Sequence, residues 1–197
     1  MAYPFIVFEG IDGAGKAVQI EHLKNVARKK RQRVFVHKFP TQNAKKIHRY
    51  LNGNQSLNED ELFEQYLTDI ENEQQNIKTH VGLGWVICDR YAISTVAYQS
   101  IKQNMQKRIE QIDDAKLIKP DLVVWLDLPV DVAIARKTKQ KKLDIHESNF
   151  EFLQKVLENY KKLYSDNFLA KEWLKINAQD EPQTIAKQVS AFIFKQE

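Results

Sequence analysis

The segment Phe8–Gln19, which reads FEGIDGAGKAVQ, constrains the fold more than any other part of the sequence. A short apolar run precedes it, and the residues that follow show apolar side chains at helical spacing. Between the two lies Gly10–Lys16, which matches the phosphate-loop pattern G-x-x-x-x-G-K in its required strand–loop–helix context. Glycines let the backbone aim N–H groups at phosphate oxygens, and the helix N-terminus adds partial positive charge. The segment therefore predicts a nucleotide site in which Lys16 reaches the terminal phosphates.

Composition narrows the class of protein. The 197 residues contain 43% hydrophobic and 28% charged residues, with 6 Gly and 5 Pro, which excludes disordered and collagen-like chains. We find no internal repeat and no linker, so we expect a single domain over residues 1–197. The net charge of +4 suits an anionic partner, and nucleotide phosphates satisfy it as well as a nucleic acid would.

Cysteine usage and hydropathy bear on location. The one cysteine, Cys88, excludes an internal disulfide framework and indicates a reducing compartment. Apolar runs fall short of the roughly 20 residues that a membrane span needs, and the early first strand leaves no room for a signal peptide. We therefore expect a cytoplasmic protein that binds neither a membrane nor a nucleic acid.

Strands and helices alternate along the rest of the chain. Four further strands are predicted at 34–37, 85–88, 122–126 and 173–176. Helices are predicted at 44–51, 109–115, 132–137, 150–163 and 182–194, and one begins at Asn58, a residue suited to an N-cap, before an acidic first turn. This alternation predicts a three-layer α/β fold of the P-loop NTPase type, with a five-stranded parallel sheet flanked by helices.

The carboxyl ends of the predicted strands define the candidate site, because parallel sheets bind their ligands there. The phosphate loop follows the first strand, Phe39-Pro40 the second and Asp89-Arg90 the third. Three separate parts of the sequence should therefore meet at one cleft. Asp89 and Arg90 have a simpler alternative reading as an ion pair at the end of a strand.

Three segments resemble the thymidylate kinase family: FEGIDGAGK, DRYAISTVAYQ at Asp89–Gln99 and PDLVVWLDLPVDVAIAR at Pro120–Arg136. The resemblance is collinear over nearly the whole chain and extends to LENYKKL at Leu157–Leu163. That family transfers the terminal phosphoryl group of ATP to thymidine monophosphate. The resemblance therefore implies ATP and Mg²⁺ as cofactors, a nucleotide acceptor and a homodimer.

The resemblance also implies roles for residues at matching positions. Asp12 would bind the 3′-hydroxyl of the acceptor, Asp89 would hold the magnesium shell, and Arg90 would clamp the acceptor phosphate. The ATP-binding run would comprise Gly10, Ile11, Asp12, Gly13, Ala14, Gly15, Lys16, Ala17 and Val18. The catalytic set would comprise Lys16, Asp12, Asp89, Arg90 and Arg136.

The acceptor side is assigned in the same way. Tyr66 falls where the family places an aromatic ring that stacks on the base, although an aromatic residue at helical spacing is also typical of a core. The acceptor-binding set would comprise Asp12, Phe39, Pro40, Gln42, Tyr66, Arg90, Thr95, Tyr98 and Gln99. Family members with glycine at the position of Gly13 usually supply catalytic cations from a basic lid. The lid would lie at about residues 137–147, with candidates Arg136, Lys139, Lys141 and Lys142.

The sequence departs from the family at four positions. Ala17 replaces the Ser or Thr that gives magnesium a hydroxyl, and the positions of three family arginines hold Gln42, Ile70 and Ile145. Cations of this kind can contribute roughly 10³–10⁵ in the rate of phosphoryl transfer. The losses are compatible with a changed acceptor base, with replacement by nearby lysines such as Lys45 and Lys46, or with a weak enzyme.

Three functions therefore remain open at this point. The first is a thymidylate kinase, the second a kinase for another nucleoside monophosphate or a nucleoside, and the third a nucleotide-binding protein with little or no transfer. The retained residues Lys16, Asp12, Asp89 and Arg90 favour an active kinase. The histidines show no ligand spacing and are expected at the surface.

Overall fold

A five-stranded parallel sheet forms the centre of the molecule. The computed structural model describes residues 5–102, 104–139 and 149–194. The strands are β1 (Phe5–Glu9), β2 (Val34–Lys38), β3 (Trp85–Asp89), β4 (Leu122–Asp127) and β5 (Glu172–Asn177). Their order in the sheet is β2-β3-β1-β4-β5, and every neighbouring pair is parallel. The predicted α/β fold with its five-stranded parallel sheet is confirmed.

Helices connect the strands as the alternation predicts. They are α1 (Lys16–Lys29), α2 (Lys45–Leu51), α3 (Glu59–Val81), α4 (Ala92–Gln99), α5 (Met105–Asp114), α6 (Val130–Lys139), α7 (Phe150–Ser165) and α8 (Pro182–Phe194). Helix α5 starts four residues before the predicted 109, because the side chain of Asn104 caps it by accepting from the Gln106 N–H. None of the described helices is both long and apolar enough to cross a membrane.

The start of α3 shows how local sequence fixes an element. The Asn58 side chain accepts from the Glu61 N–H at 2.9 Å, and the Glu61 carboxylate accepts from the Asn58 N–H at 2.9 Å. This reciprocal capping box satisfies backbone donors that would otherwise lack partners, which confirms Asn58 as the N-cap.

The core lies on both faces of the central strands. All five residues of β1 and of β3 are buried, as expected for strands covered by helices on both sides. The edge strand β2 is only partly covered. In the pairing register Phe8 lies opposite Asp89, and Lys38 lies opposite Asp89 on the other side. The sheet therefore brings the carboxyl ends of β1, β2 and β3 to one edge, where the candidate site is built.

Candidate active site

The phosphate loop connects β1 to α1 and depends on backbone conformations that favour glycine. Gly10 has φ +138° and Gly13 has φ +87°, and a Cβ at either position would approach a carbonyl oxygen to within 3 Å, at 2.6 Å from Leu126 and 2.9 Å from Ala133. Gly15 is the N-cap of α1, and no side chain caps the helix. The first N–H groups of α1 are therefore available to an anion.

Lys16 lies inside this loop with 7% of its surface exposed. Its Nζ donates to the carbonyl oxygens of Gly10 at 2.9 Å and Ile11 at 3.1 Å. Burial and the nearby Arg90 lower the pKa of Lys16 to about 8, although surrounding carboxylates act in the opposite direction. The ammonium group is thus held at the loop with little solvation of its own, ready to exchange carbonyl contacts for phosphate oxygens.

Arg90 and Asp12 form an ion pair between β3 and the phosphate loop. The Nη2 atom of Arg90 lies 2.9 Å from Oδ2 of Asp12 and 3.3 Å from the Tyr98 hydroxyl. The Nη1 atom of Arg90 is buried and has no hydrogen-bond partner among the described residues. Burial tends to raise the pKa of Asp12, but the charges of Arg90 and Lys16 outweigh it and hold the pKa well below its usual range. Asp12 is therefore a stable carboxylate, and Arg90 keeps donors for a ligand.

Asp89 has one paired and one unpaired carboxylate oxygen. Its Oδ2 lies 3.4 Å from the Nζ of Lys38, whereas its Oδ1 is buried without a hydrogen-bond partner in the described part of the chain. The simple alternative, an ion pair between Asp89 and Arg90, is wrong, because each pairs with a different residue. A buried carboxylate oxygen that lacks a donor fits a magnesium ion or its water shell.

The donors around Asp89 also limit how a metal would be held. The described residues contain no group of three His, Cys, Asp or Glu side chains that could hold a metal ion. Ala17 is exposed at the first turn of α1 and offers no hydroxyl. Magnesium in such a site would be held by Asp89, substrate phosphates and water, which is how proteins commonly bind it.

An open cleft at the carboxyl ends of β1, β2 and β3 contains all but one of the predicted acceptor-binding residues, together with Lys16 and Asp89. It is lined by Asp12, Lys16, Phe39, Pro40, Tyr66, Asp89, Arg90, Thr95, Tyr98 and Gln99, together with three residues that the sequence did not single out, Lys38, Leu51 and Ser94. Tyr66 is half-buried and reaches the cleft from α3, whereas Leu62 and Ile70 on the same helix are core residues. Its position at the cleft wall favours contact with a ligand over a purely structural role.

Other predicted residues lie outside this cleft. Gln42 is exposed and does not belong to its lining, while Lys45 and Lys46 line a second cleft between α2 and α3. Ile70, at the position of a family arginine, is 1% exposed in the core. The cation next to Phe39 is instead Lys38, the last residue of β2, which the strand-end rule could have identified.

The candidate lid is only partly described. Arg136 lies on α6 and its Nη1 donates to the Gly13 carbonyl oxygen at 3.4 Å, which brings it to the phosphate loop. Lys139 is the last residue of α6. Lys141, Lys142 and Ile145 lie outside the described residues. The remaining ATP-binding residues, Ile11, Ala14 and Val18, belong to the loop and the first turn of α1.

Glu9 is a residue of the site that sequence reasoning missed. It ends β1 fully buried, and its Oε1 accepts from the N–H groups of Tyr91 at 2.9 Å and Ser94 at 3.3 Å. Its Oε2 accepts from the Tyr160 hydroxyl at 2.9 Å. Burial raises the pKa of Glu9 to about 7, partly offset by Arg90. The carboxylate thus anchors the backbone next to Arg90, which itself has φ +70°.

The histidine expectation is wrong for His37. Its side chain is largely buried, with Nε2 3.0 Å from Nδ1 of His80 and Nδ1 3.3 Å from Glu73. Burial and the neighbouring His80 lower the pKa of His37. This group joins β2 to α3 and does not line the cleft at the strand ends. Cys88 is buried in β3.

Comparison with known proteins agrees with this geometry. Residues 8–189 match the family described as thymidylate kinase. The chain is 32% identical over 182 residues to the thymidylate kinase of Plasmodium falciparum, covering 88% of this chain and 81% of that protein. It is 30% identical over 203 residues to the thymidylate kinase of a strain of Prochlorococcus marinus, covering 94% of this chain and 90% of that protein. A probable thymidylate kinase of Methanocaldococcus jannaschii is 34% identical over 169 residues, covering 84% of each chain.

Proposed function

The chain belongs to the thymidylate kinase family, and from that premise we propose that it transfers the terminal phosphoryl group of ATP to thymidine monophosphate. The products are thymidine diphosphate and ADP. It is a phosphotransferase that uses ATP. The single observation that carries the choice of reaction is the juxtaposition of two subsites in one cleft.

One subsite is the phosphate loop with Lys16, and the other is the pocket wall formed by Phe39, Tyr66 and Gln99. The Arg90–Asp12 ion pair, with an N···O distance of 2.9 Å, lines the same cleft and joins Arg90 to the phosphate loop. A nucleoside triphosphate on the loop and a monophosphate in the pocket would direct their phosphates toward this ion pair. That arrangement suits transfer between two bound nucleotides better than hydrolysis of one.

In this reaction the protein mainly positions the two nucleotides and stabilises the charge of the transition state. Lys16 contacts the terminal phosphates of ATP, and Arg90 uses its unpaired Nη1 to hold the phosphate of the acceptor. Arg136 adds positive charge at the loop from α6. These cations stabilise the charge that spreads over the equatorial oxygens in the in-line transition state. Asp12, whose pKa the charges of Arg90 and Lys16 hold well below its usual range, accepts from the 3′-hydroxyl of the acceptor sugar.

The pocket wall that contains Tyr66 and Gln99 recognises the base. Tyr66 stacks on the thymine ring, which aromatic rings do through offset contacts. Gln99, buried at the end of α4, offers an amide that pairs with the polar edge of the base, and Thr95 lies one turn earlier on the same face. Tyr98 and Phe39 with Pro40 enclose the sugar. Gln42 is not needed for this arrangement.

Magnesium is the cofactor that Asp89 fits. Its buried Oδ1 would supply one oxygen ligand, directly or through water, and a bound magnesium ion would supply positive charge to the phosphates. We further propose a cytoplasmic homodimer, which rests on the family resemblance and on one buried, reduced cysteine. Sedimentation equilibrium tests the dimer directly.

The decisive experiment measures coupled ADP release with a panel of acceptors at saturating ATP and magnesium. The panel contains the thymidine, deoxyuridine, deoxycytidine, deoxyadenosine and deoxyguanosine monophosphates, with thymidine as the acceptor that lacks a phosphate. We expect the highest kcat/KM for thymidine monophosphate. A higher value for another acceptor would overturn the base assignment. ATP binding without ADP release for any acceptor would identify a nucleotide-binding protein instead.

A further inference from the structure

Lys38 is a charged residue of the cleft that takes no part in the proposed contacts to ATP or acceptor. It ends strand β2, lines the cleft, and places its Nζ 3.4 Å from Oδ2 of Asp89. Its side chain is 72% exposed, whereas that of Asp89 is 12% exposed, so water screens the lysine end of this ion pair and the contact has small energetic value. The ammonium group can leave that contact at little cost.

The backbone of Lys38 is fixed even though its side chain is not. Lys38 lies opposite Asp89 in the β2–β3 ladder, and the Phe39 N–H continues the pairing by donating to the Asp89 carbonyl oxygen at 3.0 Å. A rigid strand end thus carries a flexible four-carbon stem at the mouth of the cleft. This combination lets one charged group move between two partners within a defined radius.

The charges of the cleft favour a second partner for Lys38. Its lining includes three cations, Lys16, Lys38 and Arg90, and two carboxylates, Asp12 and Asp89. With Lys38 the lining carries one positive charge in excess, and without it the charges balance. A phosphate monoester carries about −1.5 to −2 at pH 7, so the excess charge attracts it into the cleft.

Other positions near this strand end do not supply that charge. Gln42 is uncharged and lies outside the lining, and Lys45 and Lys46 line the separate cleft between α2 and α3. Lys16 is engaged with the loop carbonyls and Arg90 with Asp12. Among the cations of the described lining, Lys38 is the most weakly held, because its one ion pair is 3.4 Å long and its own side chain is exposed.

We propose that Lys38 binds the phosphate of the acceptor nucleotide together with Arg90, and that it provides the charge that Gln42 lacks. The inference rests on the proposed function, since it names a contact to the acceptor of that reaction. In the free protein Asp89 holds the Lys38 ammonium near the site. When the acceptor binds, the ammonium exchanges one carboxylate oxygen for a phosphate oxygen.

The test compares Lys38→Gln with Lys171→Gln, a matched control at the opposite edge of the sheet. Lys171 is also 71% exposed and pairs with an aspartate, Asp121, at 2.5 Å. Calorimetry measures the Kd of each protein for thymidine monophosphate and for thymidine. We expect Lys38→Gln to weaken monophosphate binding about tenfold to a hundredfold, as loss of a charge-assisted hydrogen bond would, and to leave thymidine binding within about twofold.

Three outcomes decide between the proposals. Equal monophosphate affinity in Lys38→Gln and Lys171→Gln would overturn the role of Lys38. Parallel weakening of thymidine and of its monophosphate would also overturn it, because the damage would then lie in the shape of the cleft. Lys38→Arg should retain most of the affinity, since the positive charge remains. If the unsubstituted protein itself binds no thymidine monophosphate, the proposed function fails. That result is distinct from the two outcomes that overturn only the role of Lys38.

Discussion

The Nη2 atom of Arg90 lies 2.9 Å from Oδ2 of Asp12, so the residue after β3 is held by a residue of the phosphate loop. The Arg90 end of this pair is fixed from a second direction as well. The Arg90 N–H donates to the Phe8 carbonyl oxygen at 3.0 Å, and Glu9 binds the N–H of Tyr91. One charged pair thereby joins the end of β3 to the phosphate loop, at the place where we propose that the acceptor phosphate and ATP meet.

Arg90→Lys tests whether the guanidinium does more than carry charge. A lysine keeps a positive charge near Asp12 but presents no planar fork to a phosphate. We expect kcat/KM for thymidine monophosphate to fall about tenfold to a thousandfold and the KM for ATP to change less than about threefold. Initial-rate measurements over both substrates give these values. Equal losses for both substrates would mean that Arg90 serves the loop and not the acceptor.

The sequence predicted the elements of the site better than their contacts. The phosphate loop and the strand ends follow from local patterns, namely glycine spacing, apolar runs and the alternation of strands and helices. The pairing of Arg90 with Asp12, and of Asp89 with Lys38, depends on the order and register of three strands that are distant in sequence. Adjacency in the chain offers an Asp89–Arg90 ion pair only as the simpler alternative to the functional reading, and that alternative is wrong.

Glu9 was missed for a different reason. A carboxylate that directly follows an apolar strand and precedes a loop is normally expected to be exposed, and only the packing of α4 and α7 buries it. The sequence analysis assigns Gln42 to the acceptor set from its family position and does not consider Lys38. Side-chain reach into a cleft depends on where the strand ends, and β2 ends at Lys38.

Tyr66→Ala tests the stacking role of this half-buried residue. Because Tyr66 lines the cleft from α3, loss of its ring should raise the KM for thymidine monophosphate about tenfold or more and leave the KM for ATP nearly unchanged. Steady-state kinetics and a melting curve are measured on the same sample. Tyr66→Phe is the control, since it keeps the ring and should retain most of the activity. Equal effects on both substrates with a large loss of stability would place Tyr66 in the core.

The pKa of Lys16 leads to a prediction about alkaline pH. The pKa of about 8 belongs to the free protein, where burial disfavours the charged ammonium. Above that pH the neutral amine prevails, so kcat/KM for ATP should fall about tenfold per pH unit. At saturating ATP the bound phosphates favour the ammonium, and kcat should fall only at higher pH. A kcat/KM profile that is flat up to about pH 9.5 would show that Lys16 stays charged in the free protein.

The pKa of Glu9 predicts how stability changes with pH. The folded protein raises it from 4.5 to about 7, so the folded state binds this proton more tightly than the unfolded chain. The stability from Glu9 is therefore fully present below about pH 4.5 and is lost as the pH rises through about 7. The glutamine in Glu9→Gln cannot ionise. Between about pH 5 and 8 the free energy of unfolding of this variant should therefore fall less than that of the unsubstituted protein, and the difference should be up to about 3 kcal/mol. Urea unfolding at both pH values measures this, with the exposed Glu158→Gln as the control. If Glu9→Gln shows the same pH dependence as the control, Glu9 is already ionised at the lower pH.

Ala17 and Asp89 together make a prediction about magnesium. Most phosphate loops give the ion a hydroxyl at the position of Ala17, and magnesium strongly prefers six near-octahedral oxygens. Here water would take the place of that hydroxyl, and Asp89 would supply its buried carboxylate oxygen, which lacks a donor among the described residues. Ala17 is exposed in the first turn of α1, so a threonine fits there. We expect Ala17→Thr to lower the magnesium concentration for half-maximal activity by a few fold.

We expect Asp89→Asn to raise that magnesium concentration about tenfold or more, because the carboxylate charge is lost. A magnesium titration of ADP release in the three proteins measures both effects, with the ATP concentration held constant. If Ala17→Thr leaves the titration unchanged, position 17 does not face the ion, and the metal is held by Asp89 and phosphates in another arrangement.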